Sequence, residues 1–293
     1  MRVPFLMLDV FADTPFAGNQ LAVVTRTPEG LDAHMMQVLA KEIGFSETTF
    51  VTAIRPDGYD VRIFTPEVEL PFAGHPTLGT AFALASEGLT GTEVIQRCTA
   101  GEVPVVVDPQ ARRATMRQLP PVFGRGYPDR AAAAAGAGLA VDDLVDDLPI
   151  VPVSTGIAHL MVPVRDEAAL RRAVRDDRAC ARACEDADDA ESLYLFTVRG
   201  DGDVMARMFD RFATIGEDPA TGSAAGPLGA YLAEHRLAGM PGTCLIAQGE
   251  LAGRPSFLSV DVRADDDGAG WTIHVGGGVH RVGDGAFEVE VED

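Results

Sequence analysis

The sequence predicts an α/β (α+β) chain of two related halves, each a strand-rich unit around one buried helix. Three observations carry this. Alternating, bulky segments outnumber helical ones. Two helical stretches, 78–85 and 224–232, are apolar nearly all round, which marks them as buried rather than surface-lying. Each follows a Gly turn, and the two turns, Gly74 and Gly222, stand 148 residues apart, about half of the 293-residue chain.

The elements follow in order. Residues 5–11 alternate like a strand, Asp13-Thr14-Pro15 and Gly18-Asn19 turn the chain, and 21–25 reads as the partner strand. Residues 31–43 carry Met35, Met36, Leu39 and Ile43 at helical spacing, with Asp32 as N-cap and Gly44 as C-cap. Strands are expected over 48–53 and 59–64. After Pro71 the first buried helix opens with Gly74-His75-Pro76, and Pro76 suits a first turn, where a missing N–H costs nothing. Strands then run to about Arg117, and Pro120-Pro121 with Gly124-Arg125-Gly126 reads as a linker. The Ala131–Ala135 run is either a weakly specified helix or a connection.

The second half repeats the plan. Strands at 151–153 and 160–164 flank Gly156 as the earlier pair flanks Gly18, and 193–198 and 204–209 add two more. Placing Gly74 on Gly222 also places Pro71 on Pro219, Glu69 on Glu217, His75 on Ser223 and Leu84 on Leu232. Arg62-Ile63-Phe64 matches Arg207-Met208-Phe209 if the second copy carries a three-residue insertion. The expected domains are 1–122 and 123–293, with the C-terminal strand able to return to the first. Two such units would leave a cleft into which both helix N-termini point, each with unpaired N–H groups suited to a carboxylate.

Composition limits the function. A hydrophobic content of 46% and a charged content of 23% are those of a globular chain. A net charge of −20 argues against nucleic acid and against an anionic membrane as partners, because phosphates would be repelled. No apolar run reaches the roughly 18 residues of a membrane span. Residues 1–10 run into strand-like sequence without a cleavage site, so no signal peptide is expected. The four cysteines, Cys98, Cys180, Cys184 and Cys244, read as structural or incidental, and the cytoplasm as the compartment. His34, His159, His235, His274 and His280 show no metal-binding spacing, and no Gly-rich nucleotide motif occurs, so neither metal nor cofactor is expected.

Few residues attract attention as chemistry. Glu47 lies between Phe45 and Phe50, which can desolvate a carboxylate, although local sequence does not separate it from a strand-end glutamate. His75 at the start of a buried helix can donate to or accept from a ligand, and the helix N-terminus would lower its pKa; a structural histidine is the equal alternative. Asp218 before the second Gly turn is either an N-cap or a functional acid. Ser223 follows that turn.

Together these segments resemble a known family. Asp9-Val10-Phe11 with Pro15-Phe16-Ala17-Gly18-Asn19, Ser46-Glu47-Thr48-Thr49-Phe50-Val51, Pro71-Phe72-Ala73-Gly74-His75-Pro76-Thr77 and Glu217-Asp218-Pro219-Ala220-Thr221-Gly222-Ser223-Ala224 are similar to the motifs of the PhzF family of phenazine-biosynthesis isomerases. The resemblance runs from residue 5 to the C-terminus and rests on four ordered motifs. It implies the diaminopimelate-epimerase fold, two pseudo-symmetric domains each with a curved mixed sheet around a central helix, in a cofactor-free homodimer. It implies Glu47 as acid/base moving a proton along a conjugated system, assisted by His75 and Asp218. Ser223 and the Gly74 and Gly222 backbones would hold a carboxylate of the small substrate, an unsaturated amino or imino acid. Asn19, Gln20, Gly156 and His159 would shape the pocket. Related epimerases and racemases carry a cysteine in each Gly turn, where this chain has Ala73 and Thr221. A two-thiol racemase is therefore the weaker reading, and a non-catalytic small-acid-binding protein the third.

Overall fold

The computed structural model describes residues 1–200, 202–213, 216–265 and 270–290. The chain falls into two compact units, Met1–Arg117 with Gly276–Asp293, and Gln118–Val275.

Unit 1 begins with β1 (Arg2–Val10), β2 (Asn19–Val24), α1 (Ala33–Ile43), β3 (Glu47–Arg55), β4 (Gly58–Phe64) and β5 (Glu69–Leu70). Then come α2 (Gly74–Ser86), β6 (Glu93–Cys98), β7 (Gly101–Asp108) and β8 (Arg113–Arg117). β1 and β2 form the expected hairpin, and Gly18 sits in it at φ 69°, where a side chain would run into the Val10 carbonyl. β2 and β3 pair in parallel with Leu21 opposite Glu47, because α1 carries the chain back between them. Asp32 caps α1 through the Met35 N–H, and Gly44 ends it in the left-handed region, as the sequence requires.

The central helix of unit 1 is α2, which packs against β1, β2, β3, β6, β7 and β8. Enclosure by strands explains its composition. Residues 74–84 are all buried, and Gly79 has no room for a side chain beside Leu21 and Val10. On the other face of β3 and β4, α1 closes a second core of Met36, Leu39, Phe50 and Phe64.

Unit 2 contains β9 (Val122–Phe123), α3 (Arg130–Gly136), β10 (Val151–Ser154), β11 (Ala158–Pro163), α4 (Glu167–Arg172), α5 (Asp177–Asp186) and β12 (Ser192–Val198). β13 (Val204–Asp210), β14 (Glu217–Asp218), α6 (Gly222–Glu234), β15 (Gly242–Gln248), β16 (Ser256–Ala264) and β17 (Trp271–Glu288) complete the chain. β17 crosses the unit boundary, and from Val279 to Glu288 it pairs antiparallel with β1 inside unit 1.

α6 is the counterpart of α2, packed on β10, β11, β15 and β16 with residues 222–233 buried. The Ala131–Ala135 run is helical as part of α3. α4 and α5 lie within 165–191, a stretch with no element evident in its sequence. Together α3, α4 and α5 cover the outer face of β11, β12 and β13 with small side chains, Ala133, Ala183, Cys180 and Cys184 among them. Cys180 and Cys184 are thus the core face of α5, one turn apart. Because both faces of β12 and β13 are covered, their residues are buried almost without alternation.

Candidate active site

The two buried helices start differently from the others. α1, α3, α4 and α5 each open on an aspartate, Asp32, Asp129, Asp166 and Asp176, whose carboxylate accepts a first-turn N–H. α2 opens after Ala73 and α6 after Thr221, and neither cap residue bonds the helix through its side chain. Gly74 and Gly222 therefore open first turns whose N–H groups no cap side chain meets.

In unit 1 the α2 start meets two strand ends. His75 is 4% exposed, and its Nε2 lies 3.2 Å from the Gln20 carbonyl and 3.3 Å from Glu47 Oε2. The parallel β2–β3 pairing sets Glu47 beside Leu21 and hence next to Gln20, on whose carbonyl His75 rests. Burial lowers the His75 pKa to about 3, and the Gln20 contact opposes this only in part. The cause is desolvation rather than the helix terminus that the sequence suggested. A neutral ring makes the Glu47 contact a charge–dipole one, not a salt bridge. Since a carbonyl only accepts, the ring proton sits on Nε2 and is donated to Gln20, with Glu47 Oε2 beside it. Glu47 itself is 16% exposed, desolvated yet reachable. Asn19 is buried and accepts the Ser46 hydroxyl at 2.7 Å, which ties the start of β2 to the segment just before Glu47.

In unit 2 the Asp218 carboxylate is not an N-cap. It accepts the hydroxyl of Thr221, the true cap position. Gln248 locks this turn by donating 2.8 Å to the Asp218 carbonyl and 2.9 Å to Thr221 Oγ1, and its own carbonyl accepts Tyr194 OH at 2.8 Å. Gln118 donates to the Gly222 carbonyl at 2.8 Å and accepts from Thr155. Ser223, 9% exposed, lies 3.1 Å from His159 Nε2, and His159 Nδ1 lies 2.8 Å from Ser192 Oγ. Burial lowers the His159 pKa to about 3 as well.

Within unit 1 the structure therefore gathers Glu47, His75 and the Gln20 backbone, with Asn19 adjoining. Within unit 2 it gathers Asp218 with Thr221, and Ser223 with His159. Gln118, Tyr194, Ser192 and Gln248 were not singled out in the sequence. For Tyr194, Ser192 and Gln248 the one signal is a polar group at an inward strand position, as with Gln248 ending the run Leu245-Ile246-Ala247, and Gln118 lies just past the end of β8. No group of three or more His, Cys, Asp or Glu among the described residues is arranged to hold a metal. No helix among them is long and apolar enough to cross a membrane.

Comparison with known proteins agrees with this architecture. A family model described as phenazine biosynthesis-like protein matches residues 8–282. A trans-2,3-dihydro-3-hydroxyanthranilate isomerase of Pseudomonas aeruginosa is 35% identical over 257 residues, 87% of this chain and 88% of that protein. The crystal structure of a Bacillus anthracis phenazine biosynthesis protein of the PhzF family superposes with a TM-score of 0.88 at 26% identity, covering 99% of this chain and all of that one. At 12% identity, a probable proline racemase from Agrobacterium radiobacter K84 shares the fold alone, with a TM-score of 0.64 over 99% of this chain and 93% of that one. The fold is thus the diaminopimelate-epimerase type that the motifs implied.

Proposed function

The chain belongs to the phenazine biosynthesis-like family, and from that membership we propose an isomerase that shifts a proton and a double bond in a small, unsaturated, carboxylate-bearing amino acid. The observation that carries the reading is Glu47 Oε2 at 3.3 Å from the neutral ring of His75, at the uncapped start of a buried helix. A substrate like that of the Pseudomonas aeruginosa relative, a cyclic dihydro-hydroxyanthranilate, has the chemistry such a pair needs.

Glu47 takes a proton from the carbon next to the unsaturated system and returns it elsewhere on that system. A carboxylate that is mostly desolvated but still reachable suits both steps. His75 cannot supply a charge, because burial keeps it neutral. Its ring, fixed by the Nε2–H bond to the Gln20 carbonyl, lies against the Glu47 carboxylate and limits the rotamers of the base. First-turn N–H groups at Gly74 suit a carboxylate and the charge that develops on it, and those at Gly222, with Ser223, suit one in the same way. Asp218, fixed by Thr221, is proposed to assist the shift as an acid. Ala73 and Thr221 in place of thiols weigh against a two-base racemase, and the four cysteines lie outside both turns. No cofactor enters this reading, and a homodimer in the cytoplasm is proposed with it.

The test is solvent exchange. Incubated in deuterium oxide with trans-2,3-dihydro-3-hydroxyanthranilate, the wild-type chain is expected to give product carrying deuterium at the reprotonated carbon. Glu47→Gln is expected to lose about 10²-fold or more in turnover while binding the substrate nearly as well. Turnover equal to wild type in that variant would remove Glu47 from the role.

A further inference from the structure

Ser192, His159 and Ser223 form a hydrogen-bonded line inside unit 2, with His159 Nδ1 2.8 Å from Ser192 Oγ and Nε2 3.1 Å from Ser223 Oγ. Strand register assigns each of the three a counterpart in unit 1. Phe50 faces Arg62 across β3–β4, and Leu195 faces Arg207 across β12–β13, so Ser192 stands where unit 1 has Glu47. His159 lies three residues after Gly156 and faces Val153, as Leu21 lies three residues after Gly18 and faces Leu8. Ser223 takes the place of His75 one residue after the Gly turn. Unit 2 has thus replaced a carboxylate and an imidazole by two hydroxyls, bridged by an imidazole in a leucine's position.

An imidazole buried in place of leucine is costly unless both nitrogens are bonded, and here both are. The line also has a direction. Ser192 is wholly buried, and His159 is the one hydrogen-bond partner of its hydroxyl among the described residues. Its proton must go to Nδ1, or a buried O–H is left unmatched. Neutral imidazole has one donor and one acceptor, so with Nδ1 accepting, Nε2–H donates to Ser223 Oγ. The Ser223 proton is then turned away from His159.

We propose that His159, anchored by Ser192, is a positioning residue that presents the Ser223 hydroxyl as a hydrogen-bond donor to the substrate carboxylate. This deepens the reading of Ser223 as a substrate contact and rests on it, whereas the direction of the line does not.

Two measurements on the full chain test it. Long-range proton–nitrogen spectra of the 15N-histidine-labelled protein are expected to show His159 protonated on Nε2 at neutral pH; an Nδ1-protonated ring overturns the proposal. Titration with 3-hydroxyanthranilate, an aromatic carboxylate probe, gives the second readout. Ser223→Ala and His159→Leu are each expected to weaken binding about tenfold, and the double variant no further. His159→Gln, whose amide N–H can still reach Ser223, is expected to return binding to within about threefold of wild type. Additive losses, or full affinity in folded His159→Leu, overturn the proposal. Absence of probe binding to the wild-type chain overturns the carboxylate assignment. Failure of the Glu47 test would leave these outcomes standing, because none of them measures proton transfer.

Discussion

His75 shows how a single residue's surroundings set its chemistry. The ring is enclosed by the starts of α2 and β2, and the desolvation of a charge there outweighs what the Gln20 carbonyl offers a protonated ring. Its pKa falls to about 3 from the ordinary 6.5, and that of His159 does the same. Such a group binds its proton more readily in the unfolded chain. Its contribution to stability is therefore complete above pH 6.5 and is lost as pH falls from there toward 3. Asp210 acts with the opposite sign: burial raises its pKa from 3.8 to about 6, so its contribution is lost as pH rises through that interval. The difference between wild type and His75→Gln isolates the first effect. Urea midpoints of wild type are expected to drop more steeply than those of the variant between pH 6.5 and 4. Parallel curves would mean that His75 protonates as readily folded as unfolded.

Between elements, the duplication is written in side chains as well as in strand order. Arg62 reaches Glu69 from β4 to β5 with two bonds and lies over Phe64, and Arg207 reaches Glu217 from β13 to β14 with two bonds and lies over Phe209. The aligned triplets thus brace the segment before each Gly turn in the same way. The two braces differ in burial, since the Arg62 side chain is 34% exposed and that of Arg207 is 9% exposed. Arg207 also donates to the Leu170 and Ala173 carbonyls at the end of α4, an element that unit 1 does not have there. Arg207→Met should cost about 2–4 kcal/mol, because it leaves two buried carbonyls unmet and the mostly buried Glu217 without its partner. Arg62→Met should cost less than about 1 kcal/mol, as exposed pairs do. Equal shifts in urea midpoint would contradict this ranking. α4 and α5 escaped notice because the buried faces of these short helices are small: Ala169 and Leu170 on one, Cys180, Ala183 and Cys184 on the other. Such narrow faces, set among arginines and acids, read in sequence as a solvated charged segment rather than a packed helix. The polar locks Gln118, just past β8, and Gln248, at the end of β15, carry no sequence mark of what they will bond.

For the molecule as a whole, the consequential feature is the return of β17 to the first strand. Ten described residues of β17, Val279–Glu288, run antiparallel to β1, with Arg2 opposite Glu288 and Val10 opposite Val279. β1 lies between β2 and β17 in unit 1, so one side of its backbone bonding depends on the far end of the chain. A chain ending at residue 275 should lose hydrogen-exchange protection over Val3–Val10 while β12 and β13 keep theirs. Retained protection in β1 would show that β2 alone is enough to hold it.

What the sequence by itself determined was local and periodic: the strand pattern, the caps at Asp32 and Gly44, the two all-apolar helices and the repeat that relates Gly74 to Gly222. These follow from side-chain period and turn chemistry, which act over a few residues. Glu47 was distinguished only by the resemblance of its motif, because nothing nearby in sequence separates it from an ordinary strand-end glutamate. Tertiary structure alone decided that Glu47 meets His75, that Asp218 is held by Thr221 instead of capping α6, and that Ser192, His159 and Ser223 fall in one line. Those contacts depend on the register of β2 against β3 and of β11 against β12. A one-residue slip in either pairing would turn the same side chains to the opposite face, and register is fixed by the packing of the whole sheet around its helix.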